Sequence, residues 1–392
     1  MSVREGIKNT FGSGLRQSGI FVALVAIIII FAIINPTFLS ANNLTNIVLQ
    51  YSYILVLALG MLFVIVLGQI DLSVGSVVAL TGAVSAVLVI RMGAPWWVGV
   101  LAALAVGLAV GAFQGFWVAV MGIPGFIVTL AGMMIFRGLT YIVLDNVSLS
   151  PFTRSYYDIA NGFLNGLFGG YGIDIFTLVI FALAALGYIY SAWRVRQGKI
   201  KYGMDVENLG IFIAKMVIVT AAIMYFGFKL ASARGLPIVL IILAVLILAY
   251  GFVSKQTIFG RDVYAIGGNK TAAALSGISV KSISFWVYVN MGFLAGVAGV
   301  LYSARMNGAQ PGAGNMFELD AIAACFVGGA STTGGIGRVS GAMIGGLVMA
   351  VLSNGMQLMG ATTSTQQIVK GSVLLIAVAF DVYNKRRASV AV

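Results

Sequence analysis

The chain contains no histidine, a single cysteine, six prolines and only 9% charged residues. Without histidine there is no imidazole general base, no histidine metal ligand and no serine–histidine dyad for intramembrane proteolysis. The lone Cys325 excludes an intrachain disulfide and a cysteine-rich metal site. A soluble domain carries about a quarter charged residues. At 9% charged and 60% hydrophobic, with a mean hydropathy of +1.04, this chain reads as a polytopic membrane protein. Phosphate-binding loops are missing as well. Gly198-Lys199 is followed by Ile200 and lacks the preceding glycine of a P-loop. The run from Gly334 to Gly341 has Ser340 where a dinucleotide fingerprint needs glycine, and no parallel sheet surrounds it. The chain itself is therefore expected to bind no cofactor and to hold no catalytic residue or metal.

The charge that is present is unbalanced, with 23 basic against 11 acidic residues. In a membrane protein such an excess marks basic loops held against an anionic leaflet, so the expected partner is membrane lipid and not nucleic acid. No cleavable leader is recognisable. Arg4, Lys8 and Arg16 precede an apolar run without an A-x-A site, which predicts a retained first span.

A span needs about 20 mostly apolar residues. The apolar runs are 20–34, 47–67, a third reaching Ile90, 96–121, 126–144, 175–193, 209–230, 236–253, 283–301, 317–330, 341–359 and 368–383. They predict an all-α bundle of ten to twelve transmembrane helices, with 317–330 and 209–230 the least regular. Residues 20–384 form one membrane domain, flanked by tails 1–19 and 385–392. Two polar interruptions stand out: 145–171, and 255–282 with the basic residues Lys255, Arg261, Lys270 and Lys281. A shorter basic loop follows the sixth run, at Arg194, Arg196, Lys199 and Lys201. If the amino end is cytoplasmic, twelve spans place fifteen basic residues in inside loops and five (Arg91, Arg154, Lys229, Arg234, Arg305) outside. Both termini are then cytoplasmic. Small residues recur every four positions at Gly107/Gly111/Gly115, Gly292/Gly296 and Gly341/Gly345, faces suited to close helix approach.

Asp71 begins Asp71-Leu72-Ser73-Val74-Gly75. It suits an N-cap for the third helix. It also suits a carboxylate lining a permeation path near its cytoplasmic mouth, with Gln69 beside it. Arg137 lies deep in the fifth run, either as a functional cation or snorkelling outward. Lys215 and Lys370 are expected to snorkel. Asn290, Asn354, Gln357 and Gln366 suit a neutral hydroxyl-rich solute, or simply bond helix to helix. Gly267-Gly268-Asn269 predicts a break between two short helices, with Asn269 capping the second.

Three motifs in order carry a resemblance: Gly68-Gln69-Ile70-Asp71-Leu72-Ser73-Val74-Gly75, the segment from Gly260 and Arg261 to Asn269, and Leu275-Ser276-Gly277-Ile278. With the glycine-rich stretch after Val327, the chain from about Phe38 to Asp381 resembles permeases of bacterial ABC-type monosaccharide importers. The extra length around the seventh and eighth runs is similar to the xylose and multiple-sugar types. The resemblance implies a multi-pass protein of the bacterial inner membrane that works as a homodimer. It also implies two cytoplasmic ATPase subunits that bind ATP and Mg, and a periplasmic sugar-binding protein. The segment 255–282 becomes a cytoplasmic coupling loop, with Arg261, Asp262, Gly267, Gly268, Asn269, Lys270 and Gly277 meeting the ATPase. Some relatives carry an acidic residue where this chain has Lys270. The periplasmic loop 145–171 offers Asp145, Arg154 and Asp158 to the binding protein. The substrate path falls to Asp71, Gln69, Arg137, Asn290 and Asn354. The rival reading, a proton- or sodium-coupled carrier, needs titratable groups in the membrane, for which only Asp71, Glu318 and Asp320 qualify.

Overall fold

The computed structural model describes residues 3–390, with side chains described for 19–379 and 381–383. Backbone groups in a membrane-length apolar segment must bond within the segment, and the helix does this. Among the described residues, ten helices are long and apolar enough to cross a membrane.

Helix α1 (Val3–Ile34) stops at Pro36, where Asn35 caps a short 3-10 turn by accepting from the Thr37 N–H. Ser40 caps α2 (Ala41–Val66), the most buried helix, in which Val56, Leu57, Ala58 and Leu59 have no exposed surface. Helices α3 (Val74–Ala86) and α4 (Trp96–Gly115) continue as π-turns through Val87–Arg91 and Phe116–Val120. Helix α5 (Gly125–Leu144) ends where Asp145 turns left-handed. Next come α6 (Arg154–Asn161) and β1 (Phe163–Leu164), then the hairpin α7 (Ile175–Lys201) and α8 (Leu209–Ala231). Strand β2 (Leu236–Pro237) pairs antiparallel with β1 before α9 (Ile238–Gln256). The short helices α10 (Ile258–Gly268) and α11 (Lys270–Leu275) precede α12 (Val280–Met306), α13 (Phe317–Val327), α14 (Val339–Leu358) and α15 (Thr363–Val390).

Two expectations change. In the expected tails, residues 3–19 and 385–390 are helical and continuous with α1 and α15, and residues 1, 2, 391 and 392 lie outside the described residues. The side chains of Arg4, Lys8, Arg16, Lys385, Arg386 and Arg387 also lie outside them. The basic loop after the sixth run is the end of α7, because Arg and Lys are good helix formers with long apolar stems. The tenth run yields a helix of only 11 residues, about 16 Å long, half the depth of a membrane core.

That half-helix belongs to an internal symmetry. Helix α12 packs on α3 and α4 as α2 packs on α13 and α14, and α3 meets α5 as α13 meets α15. Helix α2 runs from the end bearing α6 (the α6 end) to the end bearing α10 (the α10 end), whereas α12 runs the other way. The bundle therefore holds an inverted pair of four-helix halves, α2–α5 and α12–α15. The predicted small-residue faces on α4 and α12 are where the halves lock, and the third, on α14, packs against the end of α13 within one half. A Cβ on Gly107 would overlap the Gly292 carbonyl, one on Gly292 the Gly107 carbonyl, and one on Gly111 the Tyr288 carbonyl. Gly341 and Gly345 lie equally close to the backbone of Gly328 and Ala324. From α12 the chain enters 307–316 at the α6 end. It returns to the α10 end by Gly335, whose N–H donates to the Val66 carbonyl at 2.8 Å. Counting α1 and this α13 passage with the ten long helices, the described chain crosses between ends twelve times.

Candidate functional site

Two extended segments re-enter the bundle from opposite ends. Residues 67–73 leave the end of α2, and Gly68 (φ +81°) allows the reversal. The Gln69 side-chain oxygen then accepts from the Gly125 N–H at the start of α5, and Thr129, one turn deeper, donates to the Ile70 carbonyl at 3.3 Å. From the α6 end, 307–316 descends until Arg137 donates to the carbonyls of Pro311 (3.0 Å) and Ala313. Arg137 is the thirteenth residue of the 20-residue α5, about 18 Å from its start. The two segments meet at that depth. Gly75, in the first turn of α3, and Gly314, just before α13, are in backbone contact: a Cβ on either would overlap the other's carbonyl oxygen. The Glu318 carboxylate closes over Gly75 from the first turn of α13. Helices α3 and α13 thus point their amino ends at each other in mid-bundle.

Asp71 does not cap α3. Ser73 is the cap residue, and Asp71 accepts from the Ser73 N–H (2.8 Å) and hydroxyl (2.7 Å), stiffening the re-entrant turn. The Ser73 hydroxyl also accepts from Gln114 at 2.6 Å. With 1% exposure, Asp71 faces protein and not an open path. Arg137 turns inward instead of snorkelling, because two carbonyls of an interrupted backbone await it. Gln69 and Arg137 lie along the two re-entrant segments. Asn290 and Asn354 do not join them. Asn290 accepts from Tyr250 between α12 and α9, and Asn354 exchanges two hydrogen bonds with Asn43 between α14 and α2 (2.8 and 3.0 Å). Both are helix-to-helix ties. Lys215, exposed on α8, reaches back to Glu207 in the loop before that helix at 2.8 Å, as a snorkelling lysine does, whereas Lys370 turns to Asp320 at 3.0 Å. Gln114 and the Gly75–Gly314 contact went unnoticed in the sequence. A buried glutamine in an otherwise apolar run was the one signal available there.

At the α10 end, the break at Gly267-Gly268-Asn269 is as expected. Asn269 ends α10 and caps α11, accepting from the Ala272 N–H at 2.9 Å. Gly277 (φ +86°) turns the chain out of α11. Gly267 packs against the Val66 carbonyl and Gly335, rooting the helix pair on α2 and on the 328–338 segment. Tyr264 adds a bond to the Gly337 carbonyl at 2.8 Å. Arg261, Gly268, Asn269, Lys270 and Gly277 are exposed, Asp262 is half-exposed, and Leu275 is 86% exposed. At the α6 end, Asp145 pairs with Arg91, and Arg154 with Asp158, each at 2.9 Å. Loop 145–171 is partly ordered by α6, which is tied to α12 through Tyr156–Ser303 (2.9 Å) and Asn161–Ala304 (2.8 Å). A cavity of about 510 Å³ opens among α2, α13, α14 and α15, with the Lys370–Asp320 pair in its wall.

Residues 43–378 match the family described as the branched-chain amino acid transport system / permease component. The chain is 38% identical over 372 residues to the xylose transport system permease protein XylH of Haemophilus influenzae, covering 94% of this chain and 97% of that protein. It is 37% identical over 382 residues to XylH of Escherichia coli, covering 96% and 95%. It is 36% identical over 374 residues to the ribose import permease protein RbsC of Escherichia coli, covering 95% of each. No solved structure matches the chain.

Proposed function

The chain belongs to the family of transport-system permease components, and from that premise we propose that it is the membrane-spanning subunit of an ATP-driven bacterial importer for a pentose-type monosaccharide. A sugar substrate is supported by full-length relatives named for xylose and ribose, with the xylose proteins at the higher identity. The observation that carries the mechanism is the α10–α11 pair. It is an exposed platform whose buried side touches Val66, where the re-entrant segment 67–73 begins, and Gly335, in the segment that follows α13.

The partner that grips this platform is a cytoplasmic ATPase holding ATP and Mg; the permease binds neither. Nucleotide-driven closure presses on α10–α11, moves the ends of α2 and of the 328–338 segment, and shifts the meeting point of α3 and α13. A periplasmic binding protein docks at the α6 end, where Arg91–Asp145 and Arg154–Asp158 supply orienting charge. The membrane is the inner membrane, with the α10 end and both termini cytoplasmic, in line with the basic-residue bias. A second copy of the permease and surrounding lipid cover the exposed apolar faces of α5 and α15. Proton or sodium coupling is the weaker alternative, because two of the three candidate acids are engaged, Asp71 by Ser73 and Asp320 by Lys370, which leaves Glu318 alone to carry it.

The test is co-purification with the ATPase, followed by ATP hydrolysis stimulated by sugar-loaded binding protein. Arg261→Glu and Lys270→Glu are expected to weaken both the complex and the stimulation. Sugar uptake by the chain alone in liposomes, driven by a proton or sodium gradient, would overturn the proposal.

A further inference from the structure

We infer that the cavity between α2, α13, α14 and α15 is a monosaccharide-binding site belonging to the permease itself, a station between the docked binding protein and the mid-bundle contact. The inference rests on the importer reading and names the residues that would receive the sugar.

The cavity's position comes first. Thr363 begins α15 at the α6 end, and Lys370 lies seven residues on, about 10 Å deeper. Thr363, Gln366, Gln367, Lys370, Gly371 and Leu374 all line the cavity, a single face of α15 at helical spacing. A stripe of amides and a lysine at that depth cannot face hydrocarbon. Such groups turn toward protein or a water-filled space. The cavity therefore opens from the α6 end and descends toward Asn315 and Met316, beside the Gly75–Gly314 contact.

Its chemistry comes second. The one cation and one acid in its wall, Lys370 and Asp320, neutralise each other at 3.0 Å. What remains polar is mostly amide: Gln50, Asn315, Gln357, Gln366 and Gln367. Each amide donates and accepts, as a hydroxyl does. Tyr53 and Phe317, with ring centroids 4.9 Å apart, add an apolar wall for the C–H face of a sugar ring. The volume, about 510 Å³, falls within the range of small-ligand sites, roughly 300–1,000 Å³. An anion would meet Asp320 and a cation Lys370; a neutral polyol meets neither penalty.

The test uses the fact that Cys325 is the sole cysteine and is fully buried. Gln366→Cys, and separately Thr363→Cys at the mouth, are made in the full chain in lipid nanodiscs. Their modification by a water-soluble thiol reagent is timed with and without D-xylose or D-ribose. Val147→Cys, at the same end but outside the cavity, is the control. At ten times the dissociation constant, occupancy slows modification of the cavity cysteines about tenfold and leaves the control unchanged. ATP-driven uptake by the assembled wild-type importer is measured in parallel. If uptake is present but neither sugar protects either cysteine, the inference fails while the importer reading stands. Without uptake, the importer reading itself fails. Protection by L-leucine in place of the sugars would assign the cavity to another solute. Slow modification in nanodiscs that free sugar does not alter would assign it to a lipid headgroup, and either result overturns the inference.

Discussion

Gly75 and Gly314 do at one point what no other residue type allows there: they let two helix starts touch backbone to backbone. A methyl group at either position meets a carbonyl oxygen instead of a side chain that could move aside. Gly75→Ala is therefore expected to lose about 1–3 kcal/mol, the usual range for overpacking. It should abolish uptake, whereas Gly138→Ala, with open space around it, leaves both stability and uptake unchanged. Thermal unfolding and uptake of the two variants check this. Arg137 acts on the same contact from the side. Arg137→Leu strands the Pro311 and Ala313 carbonyls, and each orphaned acceptor costs about 1–3 kcal/mol. Arg137→Lys keeps the charge but not the planar fork and should recover part of the stability. Equal stability of the leucine and wild-type proteins would show that the two carbonyls do not depend on Arg137.

Among the elements, the α7–α8 hairpin is the least embedded, and one carboxylate anchors it. Asp174 caps α7 by accepting from the Thr177 N–H at 2.9 Å and also accepts from the Gly166 N–H at 2.9 Å. Its own N–H donates to the Ala231 carbonyl at the end of α8. Burial raises its proton affinity, but the hydrogen bonds from Thr177 and Gly166 outweigh that and hold the carboxyl below the ordinary range. A depressed pKa contributes stability above the unfolded value, about 3.9, which is lost only as pH falls through the folded one. Asp174→Ala should therefore speed hydrogen exchange of amides 166–177 at pH 7 about fivefold, for a cap worth about 1 kcal/mol. The difference from wild type should disappear in strong acid. Helices such as this pair are legible in sequence because hydropathy and caps are local: the runs 209–230 and 236–253 and the Gly267-Gly268-Asn269 break stand where they were expected. The mid-bundle starts of α3 and α13 were not legible. A re-entrant segment such as 67–73 looks like a turn, and 317–330 like a short span, until the partner 240 residues away is known. Lys370 and Asp320 show the same limit, since a cation read alone is expected to snorkel and only the fold supplies its acid.

At the scale of the whole molecule, the number of crossings and the charge bias constrain each other. Twelve passages oblige both termini to share an end. On the proposed importer reading, Arg261 and Lys270 on the α10 end are expected to put that end in the cytoplasm by the positive-inside rule. The packing makes the assignment consequential, because force applied at α10–α11 would reach Val66 and Gly335, while the proposed cargo would arrive from the α6 end. Two exposed positions report on it: Tyr171, in the loop after α6, and Leu275, at the end of α11. In intact cells stripped of the outer membrane, an impermeant maleimide is expected to label Tyr171→Cys at once. Leu275→Cys should react only after the membrane is opened, with wild type as an unreactive blank owing to its buried Cys325. Labelling of both positions from outside would break the twelve-crossing count. The reverse pattern would invert the molecule and place the α10–α11 platform beyond the reach of any cytoplasmic ATPase.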